Sequence, residues 1–249
     1  MNQRLIIGNR VIRLSAIGST NAYLKELIAA NEYELEGTVV TTDNQTNGLG
    51  QRGNVWETEE GKNLTFSVLL NPNMSIDSQF YISKVVALSI TNFLASLNIE
   101  AKIKWPNDIY IEDDKVGGIL IENVVKGGMV VKSVVGIGLN VNQVSFNKSF
   151  LNPSSLKLKT NNTYDLNELL DQLLNYLDSF YLNFKAKKNA NIDEQYLQNL
   201  YRINQSANFE INGSKVNATI IGVSNNGMLQ LKIKNDIQLF DLKEVKFLF

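Results

Sequence analysis

Lys104-Trp105-Pro106-Asn107-Asp108 holds an ammonium, a carboxamide and a carboxylate within one short run around a proline. The proline pushes Trp105 toward extended backbone. Asn107 and Asp108 then sit in a turn. There they can bond their own backbone, or reach a ribose, a phosphate or Mg²⁺. Lys115 follows Asp108 and opens Lys115-Val116-Gly117-Gly118-Ile119-Leu120-Ile121-Glu122. Paired glycines inside a strand mark a bulge or a close approach by a ligand. A lysine entering beside them can neutralise a phosphate or a carboxylate, or can simply charge a hairpin tip. A third stretch is Gly48-Leu49-Gly50-Gln51-Arg52-Gly53-Asn54-Val55-Trp56. Its glycines let backbone approach a ligand and turn successive N–H groups toward an anion. It is not a Walker A loop, since no Gly-Lys-Ser/Thr follows. It is not a clean dinucleotide fingerprint either, because it leads to a strand and not to a helix. Gly136-Ile137-Gly138-Leu139-Asn140-Val141-Asn142 adds room and amide groups at a strand end.

Composition narrows the chemistry. The chain has 249 residues, no cysteine and no histidine. Disulfides, thiolate catalysis, Ser-His and Cys-His dyads and His-based zinc sites are all excluded. Reactions must run on Lys, Arg, Asp, Glu, Tyr, Ser, Thr, backbone amides or a bound cation. The net charge is −1, and no basic tract of the kind nucleic-acid binders carry is visible. No apolar run reaches the length of about eighteen residues that a membrane span needs. The first residues lack a signal-peptide core. These features predict a cytoplasmic protein with no membrane and no DNA partner.

The elements that must position these residues are readable from periodicity. Residues 1–14 alternate weakly, as a strand would. Ser19-Thr20-Asn21 precedes Leu24, Leu27 and Ile28, a helix start. Gly37 to Thr42 and Asn63 to Leu70 read as strands on either side of a loop from about Asp43 to Lys62. Asp77-Ser78 reads as the cap of a helix bearing Ile82, Val85, Val86, Ile90, Phe93, Leu94 and Leu97. Strands follow at Ala101 to Trp105 and Ile109 to Ile111, then a hairpin of Val116 to Val125 with Met129 to Leu139. Asp165 and Glu168 start an amphipathic helix through Phe184, and a short helix covers Ile192 to Tyr201. After Arg202 only short alternating runs remain, separated by Asn-Gly turns. The sequence predicts an α+β protein: a large mixed-sheet domain over residues 1–203, then a small β domain of SH3 size over 204–249.

The four motifs, in this order and preceded by Ser19-Thr20-Asn21, resemble the biotin–protein ligase family over nearly the whole chain. KWPND with KVGGILIE is the most specific element, and GIGLNVN supports it. The resemblance implies the biotin/lipoate ligase fold, related to class II synthetases, with an SH3-like β-barrel at the end. It implies two steps: biotin and ATP give biotinyl-5′-AMP, then a lysine of a biotin carboxyl carrier protein takes the acyl group. Residue by residue, Ser19, Thr20, Asn21 and Gln45 match positions that bond the biotin ureido ring and line its pocket, with Gly48 and Gly50 beside them. Gln51, Arg52, Gly53 and Asn54 match the adenylate loop, and Trp56 an aromatic packed over the ligand. Lys115 matches a lysine bridging the biotin carboxylate and the α-phosphate, with Arg52 as the second catalytic cation. Gly117 and Gly118 match strand positions against biotin. Lys104, Asn107 and Asp108 match the ATP and Mg²⁺ side, with Asp108 as the candidate metal ligand. Asn140 matches an adenine contact.

Leu49, Gln51 and Asn54 stand where the family often has arginines, which predicts a weaker electrostatic hold on the adenylate. Only eighteen residues precede Ser19, against about fifty for a domain, so a monofunctional ligase without a DNA-binding domain is expected. A homodimer is allowed. A lipoate–protein ligase and a non-catalytic binding module with a degenerate loop remain as alternatives.

Overall fold

The structure, a computed structural model, describes residues 4–30, 36–147, 152–188 and 191–248, without the side chain of Arg52. In chain order it runs β1 (Val11–Ile17), α1 (Thr20–Ala29), β2 (Val39–Gln45), β3 (Leu64–Leu70), β4 (Met74–Ser75), α2 (Phe80–Ser96), β5 (Lys102–Lys104), β6 (Asp108–Ile111), β7 (Asp114–Lys126) and β8 (Met129–Leu139). Then come α3 (Leu156–Thr160), α4 (Leu166–Lys185), α5 (Ile192–Gln198), β9 (Ser206–Ile211), β10 (Ser214–Val223), β11 (Leu229–Ile233), β12 (Asp236–Phe240) and β13 (Val245–Phe247).

The large sheet has the order β1-β2-β3-β8-β7-β6-β5, with β4 on β8. Only β1 and β2 pair in parallel among its described ladders, joined across α1. Alternation decides which face each residue meets. Phe66, Val68, Val135, Ile137 and Leu139 point to one face and join the core built with α2 and α4. Val40, Leu69 and Val134 point to the other, where Leu24 of α1 covers them. The second face, beyond the end of α1, is left for a cavity.

The helices follow from their patterns and caps. In α4, Leu169, Leu170, Leu173, Leu174, Leu177 and Tyr181 are buried. The Asp165 carboxylate accepts from the backbone N–H groups of Asn167 and Glu168 at 2.8 and 3.0 Å. Ser19 caps α1 by accepting from Ala22 N at 3.4 Å. Asp77 and Ser78 do not cap α2. Ser75 caps a short 3₁₀ turn over Ile76–Ser78, and Gln79 enters α2 already helical with no side-chain capping bond. The first strand begins at Val11, because Leu5, Ile6 and Ile7 donate their N–H groups to the Asp178 carboxylate instead of a ladder. The last helix stops at Gln198. The terminal runs form a second sheet, order β12-β11-β10-β9-β13, with antiparallel ladders throughout. Phe209, Ile220, Leu231 and Phe247 of this sheet share one continuous core with α2 and α4.

Candidate active site

Cross-strand register assembles the site. Lys104 lies opposite Asp108, Asp108 opposite Gly118, Gly118 opposite Gly138, and Gly138 opposite Thr65. Directly opposite residues share a face. One row therefore carries a cation, a carboxylate, two glycines and a threonine across five strands. A neighbouring row places Leu120, Gly136 and Ser67 side by side. These rows floor a cavity of about 310 Å³, within the roughly 300–1,000 Å³ of small-molecule sites.

The glycines make space for side chains from elsewhere. A Cβ at Gly138 would overlap the Trp56 ring, and one at Gly136 would collide with Asn21 Oδ1. Gly118 also faces Trp56, whereas Gly117 faces Leu139 and Ile109 on the core side. Gly117 therefore does not line the cavity; alternation along β7 turns it away. The glycine loop is a small hairpin. Trp56 N donates to Gly48 O at 3.0 Å, Gly50 N donates to Asn54 O at 2.7 Å, and Leu49 bridges Val55. Gln51–Gly53 makes a 3₁₀ turn at its tip. A side chain at Gly48 would meet the Trp56 carbonyl and Gln45, so this glycine closes the hairpin and is not a cavity wall. Gly53 also lies off the wall. The Arg52 side chain lies outside the described residues.

The cavity has two chemically different ends. At one, Gln45 Oε1 accepts from Thr20 N at 3.0 Å, and Ser19 and Asn21 complete the lining. Strand β2 runs as far as Gln45, so this amide sits on a sheet and not on the loop. At the other end, Lys115 Nζ is 2.6 Å from Asp108 Oδ1 and Lys104 Nζ is 4.0 Å from Asp108 Oδ2. Lys104 also lies 5.0 Å from the ring centroids of Tyr110 and Phe247. Burial pulls the Lys104 ammonium below the ordinary lysine range; Asp108 opposes that shift, and Lys115 and Arg202 add to it. Burial pushes the Tyr110 hydroxyl up, helped by Asp108. Lys115 stands 5.8 Å from the Trp56 ring. The Trp56 indole N–H is buried without a partner among the described residues.

Asn107 lines the cavity but spends its amide on Ile119 O at 2.7 Å, pinning the turn to β7. Asn140 is buried behind the wall. Its Nδ2 donates to Ser154 O at 2.9 Å, and its Oδ1 is without a partner among the described residues. Asp108 is the partner of two lysines, and no group of three or more His, Cys, Asp or Glu that could hold a metal occurs among the described residues. A single wall carboxylate, Asp108, fits a Mg²⁺ held mainly by nucleotide phosphates rather than by a protein-built cage.

Several residues on or just behind the wall carry no sequence signal. Ser67 reads as one more residue of a buried strand. Leu242, Val245 and Phe247 read as the core of a separate β domain, yet they line the cavity. Their contribution depends on how the second sheet docks, which periodicity does not report.

The profile of the Biotin/lipoate A/B protein ligase family matches residues 14–140 of the 249. The chain belongs to that family. Over 141 residues it is 36% identical to the bifunctional ligase/repressor BirA of Bacillus spizizenii, covering 56% of this chain and 43% of that protein. Over 230 residues it is 27% identical to biotin–protein ligase 1, chloroplastic, of Arabidopsis thaliana, covering 87% and 61%. The chain thus spans less than two thirds of the length of these relatives. Among solved structures, the biotin protein ligase of Aquifex aeolicus in complex with biotin and ATP superposes with a TM-score of 0.77 at 26% identity, covering 96% of this chain and 98% of that one. The mixed sheet, the helices packed on it and the small terminal sheet are the fold of that ligase. No described helix is long and apolar enough to cross a membrane.

Proposed function

We propose that this protein is a biotin–protein ligase that makes biotinyl-5′-AMP from biotin and ATP and passes the biotinyl group to a lysine of a carboxyl carrier protein. The observation that carries the reading is the polarity of one cavity. Amide and hydroxyl groups of Ser19, Thr20 and Gln45 crowd one end, and Lys115, Lys104 and Asp108 the other. A cyclic urea with a carboxylate tail needs both. In step one a biotin carboxylate oxygen bonds the α-phosphorus and pyrophosphate leaves. In step two the carrier amine bonds the acyl carbon, AMP leaves, and the amine loses a proton to solvent. Neither step needs a nucleophile from the protein, so the absence of Cys and His is no obstacle. Positioning and charge neutralisation are the work.

Asp108 holds Lys115 at the cavity wall until substrate oxygens replace the carboxylate. Lys115 then bridges the biotin carboxylate and the α-phosphate, and Lys104 and the loop backbone over Gln51–Asn54 meet the rest of the nucleotide. Arg52 is the loop cation that remains. Mg²⁺ carried on ATP would be held mainly by the phosphates, with Asp108 as the wall carboxylate beside them. Asn140 supports this end through the segment at Ser154. The division of the chain at 203/204, the cytoplasmic location and the carrier partner belong to the same reading.

The test is Lys115→Ala in biotin-dependent ATP–pyrophosphate exchange. Loss of one charge-assisted contact in the transition state predicts a fall of about a hundredfold or more in rate. A variant that exchanges like the parent would remove Lys115 from the chemistry and the reading with it.

A further inference from the structure

The second sheet meets a cation of the cavity through an aromatic ring. Lys104 Nζ lies 5.0 Å from the ring centroid of Tyr110 on β6 and 5.0 Å from that of Phe247 on β13. One ring comes from each sheet. Tyr201, between α5 and β9, packs on both, with its ring 5.3 Å from Tyr110 and 6.5 Å from Phe247. Phe209 is the cross-strand neighbour of Phe247 and meets its ring edge to face at 5.1 Å. All four rings are buried. The Phe247 ring is therefore fixed by its neighbours, while Lys104 and Phe247 both line the cavity.

Rings hold an ammonium differently from a carboxylate. Asp108 pairs closely with Lys115 at 2.6 Å and stands 4.0 Å from Lys104, beyond hydrogen-bond length. A ring face attracts the cation through its quadrupole. It makes no charge-assisted hydrogen bond, so it competes with phosphate oxygens less than a carboxylate would. It also restricts the long side chain. A solvated lysine loses rotamer freedom when it binds a phosphate. Packed between two rings, with 13% of its side chain exposed, Lys104 has lost much of that freedom beforehand. Such preorganisation favours binding. Without the Phe247 ring, Tyr110 remains on one side and the other side loosens.

We propose that Phe247 is a positioning residue that keeps Lys104 aimed at the ATP phosphates, so that the second sheet serves the activation step. This rests on the reading of the cavity as a site for biotin and ATP, and it says what the second sheet adds there.

Biotin-dependent ATP–pyrophosphate exchange tests the proposal as a double-mutant cycle, with the KM for ATP as the readout. Phe247→Leu keeps an apolar side chain but loses the ring face. It should raise the KM for ATP about fivefold, the size of one cation–π contact. Its biotin affinity, measured by calorimetry without ATP, should stay within about twofold of the parent. Lys104→Met removes the cation and should raise the KM for ATP about tenfold or more. In Lys104→Met/Phe247→Leu no ammonium is left to position, so the KM should match that of Lys104→Met within about twofold. A ring that merely braced the two sheets predicts additivity, with about a further fivefold in the double variant. Additivity, a parent-like KM for ATP in Phe247→Leu, weakened biotin binding in that variant, or no effect of Lys104→Met each overturns the proposal. Melting midpoints check that the fold is retained, and Phe247→Met replaces Phe247→Leu in the cycle if the leucine variant does not fold. If the parent itself shows no biotin-dependent exchange, the functional reading fails first and this inference falls with it.

Discussion

Lys104 and Lys115 share one carboxylate, and the two cations differ in surroundings. Lys104 is held between aromatic rings with 13% of its side chain exposed, Lys115 with 31%. Burial disfavours the ammonium of Lys104, so it gives up its proton at a lower pH than an ordinary lysine. Between that depressed value and the ordinary one, the unfolded chain binds a proton that the folded chain does not. Stability therefore rises with pH in this window. Activity should do the reverse. The ATP-dependent rate loses a cation early on the alkaline side, and Lys104→Arg, which stays charged, should move that limb upward. An alkaline limb unmoved in Lys104→Arg would detach Lys104 from the nucleotide. Lys104, Asp108 and Lys115 were legible in the sequence because charged residues beside a proline turn or paired glycines are conspicuous. Ser67, which bonds Thr20 and Asn21, was not, since a serine in a strand has an ordinary solvent or packing role until register is known.

At the scale of elements, the site is a consequence of ladder register. The strands and hairpin that carry it follow from alternation and turn residues, and their existence was readable along the chain. Their register was not, and register alone explains why Gly118 faces the cavity while Gly117 faces the core. It also explains the spacing of Gly136 and Gly138. One seats Asn21 and the other seats Trp56 on the same face of β8. Gly138→Ala should displace the indole at a cost of about 1–3 kcal/mol, as overpacking does. Biotin KM should rise about tenfold or more while the turnover number changes less. An unchanged KM would show that Trp56 does not shape the acid site. The Asp77-Ser78 cap failed as a prediction because Ser75 captures the turn two residues earlier, and capping residues in a row compete for the same orphan amides.

The whole molecule joins two sheets through one core. Trp105 Nε1 donates to Gly227 O at 2.8 Å across the junction, and Phe80 packs beneath Gly227. Ile203 bridges Ile220 just where the chain leaves the large sheet. The composition change near Asn204 marked the second sheet correctly as a run of short strands. It gave no sign that Leu242 and Phe247 return to the cavity wall, because docking is a tertiary fact. With the core continuous, the described parts should unfold together in a single calorimetric transition with agreeing calorimetric and van't Hoff enthalpies. Two resolved transitions would make the small sheet an independent unit. The central claim, a cavity that binds biotin at its amide end and activates it at its lysine end, is tested most directly by ATP–pyrophosphate exchange with biotin, lipoate or no acid. Exchange that depends on biotin is the predicted result. Exchange with lipoate alone, or none with either acid in a folded sample with Mg²⁺, would contradict it.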